Sequence, residues 1–415
     1  MSFRDDDPHH PGPRLPTIMR GATTRDPVPS RANRSNASRM LVFLSPLGKD
    51  AEAMAQVRVG VIGTSWWAEH MYLASLTRDP AAHVVAVCGR DDQRARELAQ
   101  KYGIPGVFLD HRALIRDGTL DAVVICTPDD LHYSMTMSAL DAGLHVLCEK
   151  PLALNATEAA QMYRRATERQ VQHMVLFTWR WLPHIRSLHD LIRGGFVGQP
   201  VQAQFVFQGD YAASTDYMWR FDAARANGIL GDLGSHMIDL ALLLIGEARE
   251  VSAHLDVMLP RRSPDGRTVH AANDTASLIL GMDGGAQATI QVSANIPTGG
   301  GMRLHTLLAG SDGTLDATYT FNTLGSSLVF RGIRRDEPAF RTLEVPASYG
   351  DPQRNIFELF AEQPVGPRAF VEAIAHGGAA CPGFDVGLKV QHIIDAALEA
   401  QATGRRVRLS EGPAG

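Results

Sequence analysis

The sequence predicts two halves of different class: an N-terminal α/β unit built on a parallel sheet, and a C-terminal α+β unit with a large, open, mostly antiparallel sheet. Three observations carry this. From Val57 onward short Val/Ile/Leu runs alternate with amphipathic stretches, and continuous apolar runs suit strands covered on both faces. After about Arg180 the runs alternate apolar and polar instead, as half-buried strands do. A chain of 415 residues is also long for a single core.

Taken in order, VRVGVIG (Val57 to Gly63) reads as a buried strand entering a glycine turn, with a helix from about Trp67 through Leu76. HVVAVCGR (His83 to Arg90) is the next strand, followed by a helix from Gln93 to Tyr102. LDAVVICTP (Leu120 to Pro128) and HVLCEKP (His145 to Pro151) are further strands; after a helix from Ala156 to Glu168, VQHMVLF (Val171 to Phe177) is the last of this half. In the second half, VQAQFVFQGDY (Val201 to Tyr211) alternates, and Ser277 to Ser293 reads as a hairpin around Asp283-Gly284-Gly285. Strands are also expected at Arg303 to Ala309 and Ser327 to Phe330. Arg334 to Pro367 is poorly periodic and reads as an insertion or lid. Residues 1–56, crowded with Pro, Arg, Asp and Ser before a brief apolar patch at Met40 to Leu47, are expected to be a disordered or non-native extension, with Met54 an alternative start. The expected organisation is thus 57–178 for the first unit, 179–409 for the second, and a 410–415 tail.

Composition excludes several classes. A net charge of −5 leaves no basic footprint for nucleic acid and no polybasic patch for a membrane surface. No uncharged apolar run approaches the roughly 18 residues of a membrane span. Cys88, Cys126, Cys148 and Cys381 lack zinc-type or C-x-x-C spacing, so a reducing cytoplasm is expected and no metal is predicted.

The turn Gly63-Thr64-Ser65-Trp66-Trp67-Ala68 is a G-x-S-x-x-A version of the dinucleotide fingerprint. Its glycine permits the tight turn, and backbone N–H groups at the following helix start suit a pyrophosphate. Ser65 stands where a second glycine would let the backbone approach the phosphates. Arg90, just past the second strand, favours NADP slightly over NAD, because arginine suits a 2′-phosphate where an acidic residue suits the ribose hydroxyls. A Rossmann unit binding NAD or NADP is the expectation. Trp66 and Trp67 stand where they would flank that cofactor; helix–sheet packing is the competing assignment.

Cys148-Glu149-Lys150-Pro151 after a strand, with Thr127-Pro128 and His132, resembles the Gfo/Idh/MocA oxidoreductases. GILGDLGSHMIDL (Gly228 to Leu240) is similar to that family's G-x-x-x-D-x-G-x-H-x-x-D helix, and WRFD (Trp219 to Asp222), NDTASLIL (Asn273 to Leu280) and GLKVQHIIDAALEA (Gly387 to Ala400) resemble further members' segments. The resemblance implies hydride transfer between NAD(P) and a hydroxyl or carbonyl of a sugar, cyclitol or related polyol. It also implies that Lys150, Asp232 and His236 line the substrate pocket, with Thr127, Pro128 and His132 in a loop that contacts the cofactor. The chemistry suits these residue types. Lys150 would sit at the C-terminal edge of a parallel strand, where open α/β sheets bind ligands. Four residues apart, Asp232 and His236 would share a helix face, the imidazole relaying a proton and the carboxylate orienting it or accepting from a substrate hydroxyl. Glu149 is expected to fix Lys150 or the nicotinamide ribose. Arg180 is expected either to reach the nicotinamide or substrate, or to form a salt bridge between the halves, and Asp239 to be structural. An uncovered sheet face predicts a homodimer or homotetramer. The alternatives are a redox-type glycoside hydrolase that uses bound NAD, and a catalytically silent sensor.

Overall fold

The computed structural model describes residues 56–409 except 264, 267, 268, 323 and 324. The expected N-terminal extension (Gln56 apart) and the 410–415 tail lie outside the described residues.

The first sheet has six parallel strands, β1 (Val57–Ile62), β2 (Ala82–Cys88), β3 (Gly106–Phe108), β4 (Ala122–Ile125), β5 (His145–Glu149) and β6 (His173–Leu176), in the order β3-β2-β1-β4-β5-β6. This is the reversal of strand order that opens a ligand crevice between β1 and β4 at their C-terminal ends. The near-continuous burial of β1, β4 and β5 follows from helices on both faces. The helices are α1 (Ala74–Leu76), continuing a π-helical segment Ala68–Leu73, then α2 (Asp92–Tyr102), α3 (His111–Arg116), α4 (Asp129–Asp141) and α5 (Ala156–Arg169). Local signals place their ends: Asp91 accepts from Arg94 N and Asn155 from Glu158 N as N-caps, and α2 stops at Gly103 with φ +67°. α3 and α4 had no counterpart in the sequence reading, because α4 is only weakly amphipathic and its N-terminal residues face the site.

After α6 (Pro183–Arg193) comes a nine-stranded mixed sheet: β7 (Pro200–Gly209), β8 (Ala248–Asp256), β9 (Thr275–Met282), β10 (Gln287–Ser293), β11 (Met302–Gly310), β12 (Gly313–Asn322), β13 (Gly325–Arg334), β14 (Arg341–Thr342) and β15 (Val407–Arg408). Their order is β14-β13-β12-β11-β7-β10-β9-β8-β15; every pairing is antiparallel save β7 with β10. β9 and β10 form the expected hairpin, with Gly284 and Gly285 at positive φ in its turn. Along β7, Ala203, Phe205, Phe207 and Gly209 face the core and the intervening residues face outward. α7 (Ser235–Leu244), α9 (Pro367–His376) and α10 (Phe384–Thr403) complete the core. β8 and β12 went unread, because their charged residues (Glu250, Asp256, Asp316) interrupt the alternation.

Within the expected insertion or lid, the residues before Ile356 are exposed or half-buried and the packed part begins with one helix. α8 (Ile356–Glu362) lies against the helix that follows Gly63, with the Phe357 ring edge-on to Trp66 and Trp67 at 5.0 and 5.5 Å and Ser75 Oγ donating to Phe360 O at 2.8 Å. The two tryptophans fill the seam between two helices. Trp67 also reaches the sheet, its Nε1 donating to Glu149 of β5 at 2.6 Å.

Candidate functional site

Three loops at the C-terminal ends of the parallel strands form one wall. After β1, Gly63 has φ +134°, and a Cβ there would lie 2.1 Å from Cys126 O, so the turn admits no side chain. Thr64 packs against Gly89 at the end of β2, where a Cβ would come within 2.4 Å of it. Arg90 follows, exposed at the mouth. Ser65 Oγ accepts from Ala68 N at 3.1 Å and so caps the helix, a role that leaves its own hydrogen available to a phosphate oxygen. Arg94, which the sequence reading did not single out, reaches from α2 to donate to Thr64 O at 3.3 Å and to pair with the buried Glu69, which Lys101 also contacts at 2.5 Å. Burial pushes the Glu69 carboxyl up, but these two cations outweigh it and hold it below its usual range.

After β4, Thr127 Oγ1 is buried without a hydrogen-bond partner, and Thr127-Pro128 leads into α4. A turn that only glycine fits, beside an orphaned hydroxyl on the adjoining strand end, fits a dinucleotide across the β1/β4 crevice. His132 is fully buried with Nδ1 2.8 Å from Pro151 O and Nε2 2.9 Å from Thr127 O. Both nitrogens must donate. Burial disfavours the charged ring, yet the Cys148 sulfur and the two carbonyls prevail and raise its pKa to about 9. His132 thus ties the β4 loop to the β5 loop. Glu149 is similarly occupied: Oε1 accepts from Trp67 Nε1 at 2.6 Å and Tyr72 OH at 2.7 Å, and Oε2 from Lys150 N at 3.0 Å. It holds the Lys150 backbone.

Lys150, preceding a cis Pro151, projects toward the second half. Its ammonium donates to Asp232 Oδ1 at 2.6 Å and Asp232 O at 3.0 Å. Asp232 sits in a π-helical turn, Leu230–Gly234, ahead of α7. Tyr211 OH donates to its Oδ2, and Arg220 Nε lies 3.5 Å from the same oxygen. Burial would raise this carboxyl, but Lys150 and Arg220 overcome it and hold the pKa well below the usual carboxylate range. Asp232 therefore orients Lys150, and no hydrogen bond joins it to His236, because the widened turn and three other partners take its oxygens. The His236 ring is buried between the edges of Phe177 and Trp179, each at 6.1 Å, with Nδ1 unpartnered. Burial, with the Lys150 charge adding, pushes its pKa well below normal, so the imidazole is neutral.

Asp129, unread in the sequence, is buried at the start of α4; desolvation raises its pKa to about 8 against the opposing pull of Lys150 and Arg220. Arg180 does not reach toward the site. Its guanidinium grips Asp239 of α7 through Nε–Oδ2 at 3.1 Å and Nη2–Oδ1, both side chains nearly enclosed. Nothing in the sequence marked Tyr211, Arg220 or Asp129 as site residues. Among the described residues no group of three or more His, Cys, Asp or Glu side chains could hold a metal ion.

Residues 57–177 match the family described as oxidoreductase family, NAD-binding Rossmann fold, and residues 185–316 match the GFO/IDH/MocA C-terminal domain. Levoglucosan dehydrogenase of Pseudarthrobacter phenanthrenivorans is 28% identical over 84% of this chain and 97% of its own. A D-xylose 1-dehydrogenase (NADP(+)) of Haloferax volcanii is 29% identical over 78% of this chain and 91% of its own. A structure of levoglucosan dehydrogenase in complex with NADH and levoglucosan superposes with a TM-score of 0.75 at 27% identity, covering 86% of this chain and all of that one.

Proposed function

Because this chain belongs to the Gfo/Idh/MocA oxidoreductase family, we propose that it moves a hydride between NAD or NADP and a ring hydroxyl of a sugar or polyol, with Lys150, Asp232 and His236 as the reacting group of side chains. The observation that carries the reading is Lys150 held on Asp232 at the sheet edge where the dinucleotide turn opens. Bound nicotinamide supplies the hydride acceptor or donor. An ammonium has three donors, and Asp232 takes two of them, leaving one for the substrate oxygen. Lys150 exchanges the hydroxyl proton, and the Asp232 carboxylate stabilises the ammonium form that results. His236, held neutral, keeps the same hydroxyl in line without adding a second positive charge. Phe177 and Trp179 keep water from that face.

The screen uses levoglucosan and D-xylose with NAD and NADP, chosen for the two relatives, and reads NAD(P)H formation. Net reduction of either cofactor is the expected result. Cofactor that stays bound while a glycoside is cleaved without net NAD(P)H would replace this reading with hydrolysis. On the outer face of the wide sheet, Ile279 and Val329 are 54% and 57% exposed, which supports pairing with a second copy; light scattering on the purified protein would report a homodimer or homotetramer, and a monomer would refute it. The free, buried thiols Cys88, Cys126 and Cys148 suit a reducing cytoplasm. No helix among the described residues is long and apolar enough to cross a membrane.

A further inference from the structure

The loop 211–222 bears on Asp232 from both of its ends, and a single buried guanidinium holds both. Tyr211 opens the loop and donates to Asp232 Oδ2; Arg220, in the 3₁₀ turn Trp219–Phe221 that closes it, lies against the same oxygen. Between these ends the chain has little regular structure to fix it. Arg261, 1% exposed, supplies the missing constraint. Its Nη2 donates to Ala212 O at 2.6 Å, next to Tyr211, and its guanidinium carbon stands 4.1 Å over the Phe221 ring, next to Arg220. Asp274, fully enclosed, balances the charge through Nη1–Oδ2 at 3.3 Å and accepts from Met258 N and Leu259 N, which fixes the segment carrying Arg261.

The neighbouring residue continues the arrangement. Asn273 Oδ1 accepts from Leu230 N at 2.9 Å and its Nδ2 donates to Asn227 O at 2.9 Å, bracing the turn from which Asp232 projects. The dipeptide ahead of β9 thus sets both the carboxylate and, through Arg261, its two partners. Stability alone does not account for the pair, since a buried Arg–Asp couple is commonly no better than apolar residues of the same volume, and Arg261 Nε has no partner here.

We propose that Arg261, backed by Asp274, is a positioning residue that seats Tyr211 and Arg220 on Asp232 and so sets the carboxylate against Lys150. This rests on the reading that Asp232 belongs to the reacting group. The test uses the full chain labelled with 5-fluorotryptophan, with the Trp219 fluorine signal assigned through Trp219→Phe. Arg261→Met should shift or broaden that signal while the NADH Kd stays within about twofold of wild type. With whichever of levoglucosan or D-xylose is turned over, kcat/KM should fall about tenfold or more, and adding Tyr211→Phe should cost less than about twofold further, because both changes remove one constraint. Arg261→Lys, which keeps the charge and a donor, should recover part of the loss. An unmoved Trp219 signal, or losses from Arg261→Met and Tyr211→Phe that multiply, would overturn the proposal. Should Arg261→Met not fold, Arg261→Lys carries the same measurements. Wild-type protein that fails to bind NADH would sink the dinucleotide reading instead, and leaves the Trp219 comparison standing.

Discussion

The two walls of the site are built differently. The nucleotide wall consists of short turns at strand ends: Gly63, Thr127-Pro128 and Lys150 lie where parallel strands stop, and their placement follows from the sheet itself. The opposite wall is cross-braced by charge. Asp232 takes Lys150, Tyr211 and Arg220, Arg180 grips Asp239, and Arg261 rests on Asp274. The wall made of strand ends is fixed by backbone, as at Gly63 where no side chain fits, whereas a wall made of buried pairs couples stability to geometry, since removing one partner strands the other. Asp129 and Asp232 show the contrast between neighbours: one buried carboxyl is raised to about 8, and the other, facing the same Lys150 and Arg220 but bonded to Lys150 and Tyr211, is held low.

Lys150→Ala, which removes the ammonium that joins the walls at Asp232, should lower kcat by about 10²–10⁴ while NADH affinity, measured by fluorescence titration, changes little. Comparable losses in both would mean the walls are not separable. Asp239→Ala should destabilise the fold by about 3–5 kcal/mol in urea unfolding, because Arg180 is left buried and uncompensated. Replacing both partners with Met and Leu should restore most of that; a single replacement as mild as the double would remove the pair from the brace.

His184 sharpens the comparison through pH. It is buried in the second half against Tyr319, with Nδ1 unpartnered, and burial lowers its pKa to about 3. Between about 6.5 and 3 the unfolded chain takes up a proton that the folded chain does not, so stability falls with falling pH by about 1.4 kcal/mol per unit. His236 acts with the same sign. His184→Phe should flatten this acid limb in melting-temperature scans without abolishing it, and an unchanged limb would show that the imidazole is not held neutral. The smallest effect is expected on the nucleotide wall: Arg90→Ala should weaken NADP about tenfold or less and NAD hardly at all, with an unaltered melting temperature. Equal losses for the two cofactors would remove Arg90 from 2′-phosphate recognition.

The legibility of the molecule divides along the same line. Strands β1, β2, β4, β5 and β6 read directly from their apolar runs, and the Gly63 turn and the family blocks around Lys150 and Asp232 were visible as motifs. Glu149 was visible as fixing Lys150 or a ribose, and His132 as part of a loop that contacts the cofactor; in the fold their polar atoms meet Trp67, Tyr72, Lys150 N, Thr127 O and Pro151 O. A motif shows that a residue is needed near a site, and leaves open whether it faces inward to ligand or backward to support. Arg180 and Asp239 stood 59 positions apart with nothing local to pair them. Arg261 carried no pattern at all, and Asp274, inside the block Asn273 to Leu280, had nothing to pair it with an arginine 13 positions earlier.

By itself the sequence determined the class of each half and the dinucleotide turn, because strand periodicity and the demand for a glycine at positive φ act over a few residues; that the lysine and aspartate meet there was implied by the family resemblance. Tertiary structure alone decided which carboxyl is protonated, which histidine is charged, and which arginine supports the loop over Asp232. Those depend on burial and on partners distant in the chain, and desolvation is a property of a place in the fold.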